Sequence, residues 1–548
     1  MSSQFRDIRA LFSLFDPDHL RKRTELLRKM GEKELSLNNG LIKFYDDLLF
    51  IHAHPANAIE ERLAWKNLRR IEQFLRKYKS IMPPVLENSG LPFTAHTSKF
   101  SWELLCWLSE REDIKMVADF THTGDVAPAE IIRPLLPSTL RYEHGFEADW
   151  QELFDNLKFL EPDPLKKILL LFQTNQMSPL VRDLLFGQLD LYTSIYPKTA
   201  GFSKMHNCIE IPQRFYHNEI LKKYDFTGCL EKKLPPAEHL NAELRESVAS
   251  KIKISLALLL RETDPSTFID LSSLHLFHLE RGISVAIYGM VSERQLPYES
   301  YIGFTLFKNG YPAAYGGAWV FGRRAKFGIN IFETFRGGES GMFFTQILRV
   351  YARCFEIDHF EIESYQFGAD NPEGIVSGAY WFYYKHGFRS TDKKLAAIAE
   401  KEAEKIQRNK SYRTSLKILE EFTKSNMELL LKGISRPDVT LWTSATRRLL
   451  QKKGVENTLS PFRYQNPAQS KQNSVKEQYQ SQSVSRDEWS LLVLSGPPFN
   501  HLKSEKIDRI IEFRNHDMLG YQRELRDMID TATKAGNTQP DERNRQIN

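Results

Sequence analysis

Apolar residues change their spacing once along this chain, and the change separates a helical first half from a strand-rich segment. Between Ala237 and Leu260 they recur at four-residue steps, which predicts a helix with one buried stripe. A similar spacing from Ala58 to Tyr78 predicts another helix. After Asp264 and Pro265 the spacing becomes alternating, as expected for strands that bury one face. The sequence therefore predicts an α+β protein in which helices precede a mixed sheet and further helices follow it.

Five short segments after residue 270 have the alternation of strands, and tight turns join four of them in pairs. Asn309-Gly310 lies between two apolar runs, and this dipeptide is a strong signal for a β-hairpin. Arg281-Gly282 separates the first two segments in a similar way, so the predicted sheet is mostly antiparallel. The predicted strands are Leu274–Leu279, Ile283–Tyr288, Tyr301–Phe307, Pro312–Val320 and Ala325–Ile331.

The last predicted strand runs into a glycine-rich turn, and a helix and another strand follow. The turn is Arg336-Gly337-Gly338-Glu339-Ser340-Gly341, and apolar residues from Phe343 to Phe355 form two adjacent stripes of one helix. The next strand carries Glu361 and Glu363 on one face and apolar residues on the other. This order of strand, turn, helix and strand predicts a βαβ unit.

A glycine-rich turn at the start of a helix is suited to bind an anion such as phosphate. Free backbone N–H groups point outward there, and the helix dipole adds about half a positive charge. Gly337, Gly338 and Gly341 have no Cβ atoms that would keep a phosphate away. A backbone that only has to reverse its direction explains the same glycines equally well, so the turn alone leaves both explanations open.

The residues around this turn resemble the acyl-CoA motif of the GNAT superfamily of N-acyltransferases. In that motif a strand ends before Gln/Arg-x-x-Gly-x-Gly/Ala, and the loop amides bind the CoA pyrophosphate. Arg336 and Gly341 are in register with it, whereas Glu339 stands where the family usually has glycine. Downstream, Tyr383-Tyr384-Lys385-His386-Gly387-Phe388 is similar to the family's closing Tyr-x-Lys-x-Gly-Phe, and Asn371 resembles an asparagine that precedes it. The resemblance covers roughly residues 270 to 390.

The resemblance implies direct transfer of an acyl group from acetyl-CoA or another acyl-CoA to an amine, without a metal. Tyr383 matches the family tyrosine, whose phenol protonates the departing thiolate. The family has no fixed base for the amine, and Glu361, Glu363 and Glu333 are the candidates here. Packing in an aromatic core is an equally good explanation for Tyr383, and an exposed strand edge for the glutamates. The residues expected to contact CoA are Ile331, Arg336, Gly337, Gly338, Glu339, Ser340, Gly341 and Asn371.

Composition adds few limits to this picture. The net charge of +5 over 548 residues permits an acidic ligand such as CoA but does not favour nucleic acid. The four cysteines are scattered, so they predict neither a zinc site nor a disulfide framework and suit a reducing compartment. His52-Ala53-His54 has no third metal ligand at a suitable spacing, and we interpret both histidines as local hydrogen-bonding groups. Without a signal peptide or an apolar run of about 20 residues, we expect a cytoplasmic protein with no membrane partner.

Composition and periodicity together divide the chain into seven predicted segments. Helices are predicted at Pro179–Tyr196 and at Thr391–Lys432, and residues 454–485 have the Ser, Gln and Asn content of a flexible linker. The amphipathic helix predicted at Ser504–Thr531 could bind a protein partner. The segments are 1–155 (helical N-terminal domain), 156–265 (helical scaffold), 266–391 (GNAT-like domain), 392–453 (helical extension), 454–486 (flexible linker), 487–532 (docking segment and helix) and 533–548 (disordered tail).

Two functions of different classes remain open from the sequence. One is an acyltransferase that uses a CoA thioester and a small-molecule or peptide amine. The other is a catalytically silent protein whose fold is a scaffold for partner binding, which Glu339 in place of glycine favours. A third alternative, transfer of an aminoacyl group from charged tRNA, lies within the same fold, and the modest net charge counts against it.

Overall fold

The structure, a computed structural model, describes residues 14–122, 128–141, 161–175, 177–453 and 504–537, together with positions 11, 149, 150, 152 and 153. It confirms the α+β class, because helices come first, a mixed sheet lies in the middle of the chain and helices follow it. The helices are α1 (Pro17–Glu32), α2 (Asn39–Ala53), α3 (Ala58–Lys77), α4 (Trp102–Ser109), α5 (Pro128–Ile132), α6 (Pro164–Thr174), α7 (Pro179–Gln188), α8 (Phe226–Glu231), α9 (Ala242–Leu258), α10 (Asp264–Thr267), α11 (Ser340–Cys354), α12 (Pro372–Ser377), α13 (Ala379–Lys385), α14 (Lys393–Arg408), α15 (Leu416–Phe422), α16 (Thr440–Lys453), α17 (Ser504–His516) and α18 (Met518–Asn537).

An eight-stranded sheet forms the centre of the fold. Its strands are β4 (His275–His278), β5 (Ile283–Tyr288), β6 (Ser300–Lys308), β7 (Tyr311–Phe321), β8 (Arg324–Ile331), β9 (His359–Ile362), β10 (Arg389–Ser390) and β11 (Met427–Leu430). They are ordered β10-β11-β9-β8-β7-β6-β5-β4, and only β8 and β9 run parallel to each other. The predicted hairpin is confirmed: Asn309 and Gly310 take positive φ angles of 45° and 89°.

Helix α11 packs on one face of this sheet, as its two apolar stripes predict. Phe344 lies against Phe327 of β8 with ring centroids 5.9 Å apart, and the Tyr351 hydroxyl donates to the carbonyl of Ile302 at 2.6 Å. Apolar residues of α1, α2 and α3 belong to the same hydrophobic core as the sheet. The first helices and the strand-rich segment therefore bury their apolar surfaces together.

The prediction that residues 1–265 are helical is wrong in two places. Three strands, β1 (His96–Lys99), β2 (Ile114–Asp119) and β3 (Tyr192–Pro197), form a second, antiparallel sheet in the order β1-β3-β2. The helix predicted at Pro179–Tyr196 ends at Gln188, and its last residues belong to β3. Tyr192–Pro197 is rich in aromatic and β-branched residues, which suit a strand, but its partners lie far away in sequence.

The long helix predicted at Thr391–Lys432 is also wrong, because three elements occupy this segment. Helices α14 and α15 are followed by β11, which inserts between β9 and β10. Met427 is fully buried opposite Ile362, and this burial outweighs the helical tendency of the charged residues before it.

The C-terminal helices pack on this chain itself. Ile510 of α17 and Leu525 of α18 are fully buried in a cluster with Phe321 of β7 and Trp442 of α16. Helix α18 extends to Asn537, into the predicted tail, so this part of the tail prediction is wrong. The predicted linker, the docking segment before residue 504 and the tail after residue 537 lie outside the described residues. Within the described part of the chain, no helix is both long and apolar enough to cross a membrane.

Gly316 of β7 lies where neighbouring backbone leaves no room for a side chain. A methyl group there would be 2.2 Å from the carbonyl oxygen of Gly328. We expect Gly316→Ala to lower the free energy of unfolding by about 1–3 kcal/mol, because backbone has to move. Gly187→Ala in α7 is the control: no atom of the described residues lies within 4 Å of an added methyl, and a gain of up to about 1 kcal/mol is expected. Urea unfolding of both variants would measure this contrast.

Candidate functional site

Strands β8 and β9 lie side by side only at their beginnings. Residues 324–326 pair with residues 359–361, and the described structure has no further pair between the two strands. Strand β8 continues to Ile331, whereas β9 ends one residue after the last pair. The strands therefore diverge toward their carboxyl ends. The amide of Gln366 lies beside β8 in this region, since a methyl group on Gly328 would be 3.0 Å from its Nε2.

The diverging end of β8 leads into the glycine-rich turn. A 3₁₀ turn, Glu333–Phe335, comes first, Gly337 then takes a positive φ of 82°, and α11 begins at Ser340. No side chain in the described part of the chain caps this helix, so its first N–H donors have no side-chain acceptor. Gly337 is exposed, and Ser340 and Gly341 are partly exposed. The positive end of the helix dipole is therefore accessible through the turn.

Two other parts of the chain pack against this turn. Phe50, in α2, contacts Gly338, where an added methyl group would be 3.1 Å from a ring carbon. Gly341 faces Tyr224, and a methyl group there would be 2.9 Å from its hydroxyl oxygen. The helical first half thus covers one side of the turn, and Gly337 lies on the exposed side.

The segment that is similar to the family's closing motif also reaches the start of α11. Nε2 of His386 is 3.0 Å from the hydroxyl of Tyr224, which is 2.8 Å from Oγ1 of Thr345. The ring of Tyr383 packs on Phe344 with centroids 5.6 Å apart. The structure therefore brings both parts of the predicted motif together at one helix end.

Glu339 directly precedes α11, and its side chain is fully buried. Its carboxylate accepts hydrogen bonds from Nε of Arg281 at 2.8 Å and from Nζ of Lys308 at 2.7 Å. The backbone N–H of Leu221 donates to the same carboxylate at 3.1 Å. Arg281 and Lys308 lie at the two hairpin turns that join β4 to β5 and β6 to β7. The Glu339 carboxylate therefore connects the glycine-rich turn to two hairpin turns through hydrogen bonds.

Charges around Glu339 set its ionisation. Burial alone would raise the pKa of its carboxyl, but the charges and hydrogen bonds of Lys308 and Arg281 hold that pKa well below its ordinary value. Burial lowers the pKa of Lys308 to about 8, against the attraction of Glu339. At neutral pH the carboxylate is thus ionised and outnumbered by cations. The residue that departs from the family motif holds its charge in buried ion pairs, away from the exposed side of the turn.

Other residues predicted to contact CoA have local partners. Arg336 is exposed; its Nε donates to the carbonyl of Ile331 at 3.2 Å, and its guanidinium pairs with Glu373 at 2.7 Å. Asn371 caps α12, where its Oδ1 accepts from the N–H of Gly374 at 3.3 Å. The charge of Arg336 is therefore paired by Glu373 at the mouth of the turn, whereas Asn371 has a structural task.

The three glutamates proposed as bases differ in their surroundings. Glu361 is buried in an ion pair with Arg324, and Nδ2 of Asn426 donates to it at 2.6 Å. Glu363 and Glu333 are exposed. Glu361 would have to leave its ion pair with Arg324 to meet an amine, whereas Glu363 and Glu333 already face solvent.

A second group of functional side chains lies beneath the turn. The ligand atoms of His54, His217 and Glu339 are all within 4.8 Å of one another, and all three residues are buried. Burial lowers the pKa of His54 well below its ordinary value and that of His217 to about 4, so both are neutral at pH 7. The sequence suggests only His52 as a neighbour of His54, and His52 instead lies beside Trp65 with ring centroids 5.3 Å apart. No local spacing could have identified this cluster, because its members come from three distant segments.

A scan against known protein families and searches of curated proteins and of solved structures found no match for this chain. These comparisons neither support nor contradict the resemblance to the GNAT superfamily. The functional assignment therefore depends on the site itself: two diverging strands, an uncapped helix start and the ion pairs beneath it.

Proposed function

We propose that this protein is a GNAT-like N-acyltransferase that moves an acyl group from acyl-CoA to an amine. The observation that carries the proposal is the divergence of β8 and β9 directly before an uncapped, glycine-rich helix start. A thioester tail between the diverging strands could bond the free backbone groups of β8, while the turn amides bind the diphosphate. The unpaired end of β8 comes directly before the start of α11, so one extended ligand could contact the strand with its tail and the turn with its diphosphate.

Charge around the turn supports an anionic ligand. Buried cations outweigh Glu339 beneath the turn, and the exposed guanidinium of Arg336 would have to exchange Glu373 for the diphosphate to add to this charge. Lys222 and Lys223 are exposed on the segment that leads to Tyr224, which packs against the turn. Such a distribution attracts a diphosphate and weakens as salt screens it.

Tyr383 is the candidate acid that protonates the CoA thiolate. Burial raises the pKa of its phenol, so the phenol stays protonated at neutral pH. The same apolar surroundings would raise the pKa of a CoA thiol placed next to it. The thiolate then becomes a stronger base, so proton transfer from the phenol to the departing sulfur is less unfavourable than it would be toward a thiolate in water.

Titration calorimetry with CoA and with acetyl-CoA tests the proposal. Measurements at two temperatures are needed, because burial of apolar surface changes the heat of binding with temperature, so a silent titration at one temperature is not silent at the other. We expect binding of both ligands, with an affinity that falls as salt rises. Absence of heat at both temperatures up to millimolar ligand would remove the acyltransferase from consideration.

Replacing Tyr383 by phenylalanine is expected to lower turnover by about 10²–10⁴-fold and to leave the affinity for acetyl-CoA unchanged, because only proton transfer is lost. Release of free CoA thiol in the presence of a panel of primary amines measures turnover. Tyr384→Phe, on the next residue of α13, is the matched control and should behave as the unaltered protein does. Equal turnover in both variants would show that Tyr383 is not the acid that protonates the thiolate.

Burial at the site favours a second candidate function, a catalytically silent scaffold. Phe50 covers one side of the turn, Tyr383 is almost fully buried, and Glu361 is held in an ion pair. These contacts hold the side chains around the turn in place by packing and ion pairing within the chain. Binding of acetyl-CoA without release of CoA thiol in any amine mixture would favour this scaffold.

A further inference from the structure

We propose that His54, His217 and Glu339 form a binding site for one divalent transition-metal ion, with Zn²⁺ as the ion that their chemistry fits best. Two imidazoles and one carboxylate are the ligand types that Zn²⁺ takes in proteins, usually with a fourth position open. The site lies beneath the glycine-rich turn, and its two histidines are not among the residues expected to contact CoA.

Hydrogen bonds of the two histidines define which nitrogen is free. Nδ1 of His54 is 3.1 Å from the carbonyl oxygen of Phe50, and Nδ1 of His217 is 3.3 Å from that of Pro55. A carbonyl oxygen only accepts, so both Nδ1 atoms carry the proton and both Nε2 atoms keep a lone pair. Histidines that ligate metals typically donate their other nitrogen to a backbone carbonyl in this way.

Both Nε2 atoms are buried, and neither has a hydrogen-bond partner in the described part of the chain. His54 and His217 are each 2% exposed, so water outside the protein does not satisfy these atoms. An unsatisfied buried acceptor is unfavourable, and two lone pairs beside a carboxylate make the arrangement more unfavourable still. A cation between the three groups would satisfy both Nε2 atoms.

The distances are close to those of a metal site. Nε2 of His217 is 3.7 Å from Oε2 of Glu339, and all three ligand atoms lie within 4.8 Å. Tetrahedral Zn²⁺ with bonds of about 2.0–2.1 Å holds its ligand atoms about 3.4 Å apart. Ligand atoms that are now up to 4.8 Å apart would therefore have to approach one another by about 1 Å to close the site.

The cations that already contact Glu339 are compatible with this ion. Arg281 binds Oε1, whereas Lys308 binds Oε2, the oxygen that faces His217. Nζ of Lys308 also donates to the carbonyl of Arg281 at 2.6 Å. A metal ion at Oε2 would displace Lys308 from that oxygen, and the ammonium would keep its carbonyl partner. Competition between the ion and this lysine makes binding weaker than at a site without nearby cations.

Metal analysis of the full-length protein tests the proposal. After removal of bound metal with a chelator, the protein is incubated with Zn²⁺ and desalted, and elemental analysis is expected to show one equivalent. Co²⁺ in place of Zn²⁺ should produce the visible absorption of a four-coordinate nitrogen and oxygen site. His54→Gln and His217→Gln should each weaken Zn²⁺ binding by more than about 100-fold, because loss of a ligand exceeds loss of a second-sphere partner.

His52→Gln is the matched control, since His52 is also buried in α2 but is not part of the cluster. It should bind Zn²⁺ as the unaltered protein does. Circular dichroism before metal addition verifies that the three variants are folded, and a variant that is not folded is replaced by His→Asn at the same position. Failure of the unaltered protein to retain Zn²⁺, or retention by both cluster variants, would overturn the metal site.

Discussion

Replacement of Glu339 by glutamine is expected to remove about 3–5 kcal/mol from the free energy of unfolding of the unit that contains the eight-stranded sheet. The amide has the same size and still accepts hydrogen bonds, but it leaves Lys308 and Arg281 without a negative partner. Lys308 is fully buried, so its ammonium cannot regain the hydration it lost on folding. Equilibrium unfolding in urea, with the metal-free protein, measures the effect.

Two further variants separate charge from position. Glu333→Gln changes an exposed glutamate in the 3₁₀ turn that precedes the glycine-rich turn. It should alter stability by no more than about 0.5 kcal/mol. Adding Lys308→Met to Glu339→Gln removes one of the uncompensated cations, and we expect it to restore part of the stability. If Glu339→Gln and Glu333→Gln unfold at the same urea concentration, the buried ion pairs do not stabilise the turn.

Local signals were sufficient for the part of the fold that carries the candidate site. Alternation of apolar residues and the Asn309-Gly310 turn defined β5 to β8, and the apolar stripes from Phe343 defined α11. These elements could be predicted because hairpins and a strand-to-helix turn are formed by residues that are close in sequence. The same reasoning identified the glycine-rich turn as the start of a helix.

Elements that depend on distant partners were missed. Strand β3 pairs with segments about 70–100 residues earlier, and β11 enters the main sheet between strands that precede it. The side chains around Glu339 show the same limit, because Arg281 and Lys308 lie in two different hairpins and His54 directly follows α2 of the first half. No periodicity or motif records such contacts, since the fold alone brings them together.

The departure of Glu339 from the GNAT motif has a structural explanation in this chain. A glycine at this position would leave Lys308 buried without a counter-charge, and the two hairpin tips would lose their connection to the turn. The carboxylate therefore balances the cations of both hairpins, which the glycine of the motif could not do. The same residue then provides the oxygen ligand of the proposed metal site.

Ser340→Glu is expected to change stability and CoA binding in opposite directions. Ser340 is the first residue of α11 and is partly exposed, and no side chain among the described residues caps this helix. A carboxylate there interacts favourably with the helix dipole and should raise the free energy of unfolding by about 0.3–1 kcal/mol. It would also lie beside the diphosphate, where two like charges at about 4 Å repel by about 1–4 kcal/mol. Affinity for CoA should consequently fall at least about five-fold.

Ser340→Gln provides the control for this variant, since it adds a side chain of the same length without the charge. It should bind CoA nearly as well as the unaltered protein and show little gain in stability. Calorimetry with CoA and urea unfolding on all three proteins decide whether the turn binds a diphosphate or only reverses the backbone. A turn that binds the diphosphate requires Ser340→Glu to be the more stable protein and the weaker binder. A variant that is more stable and binds CoA undiminished would place the ligand elsewhere, because a negative charge at this helix start cannot be neutral toward a diphosphate bound to it.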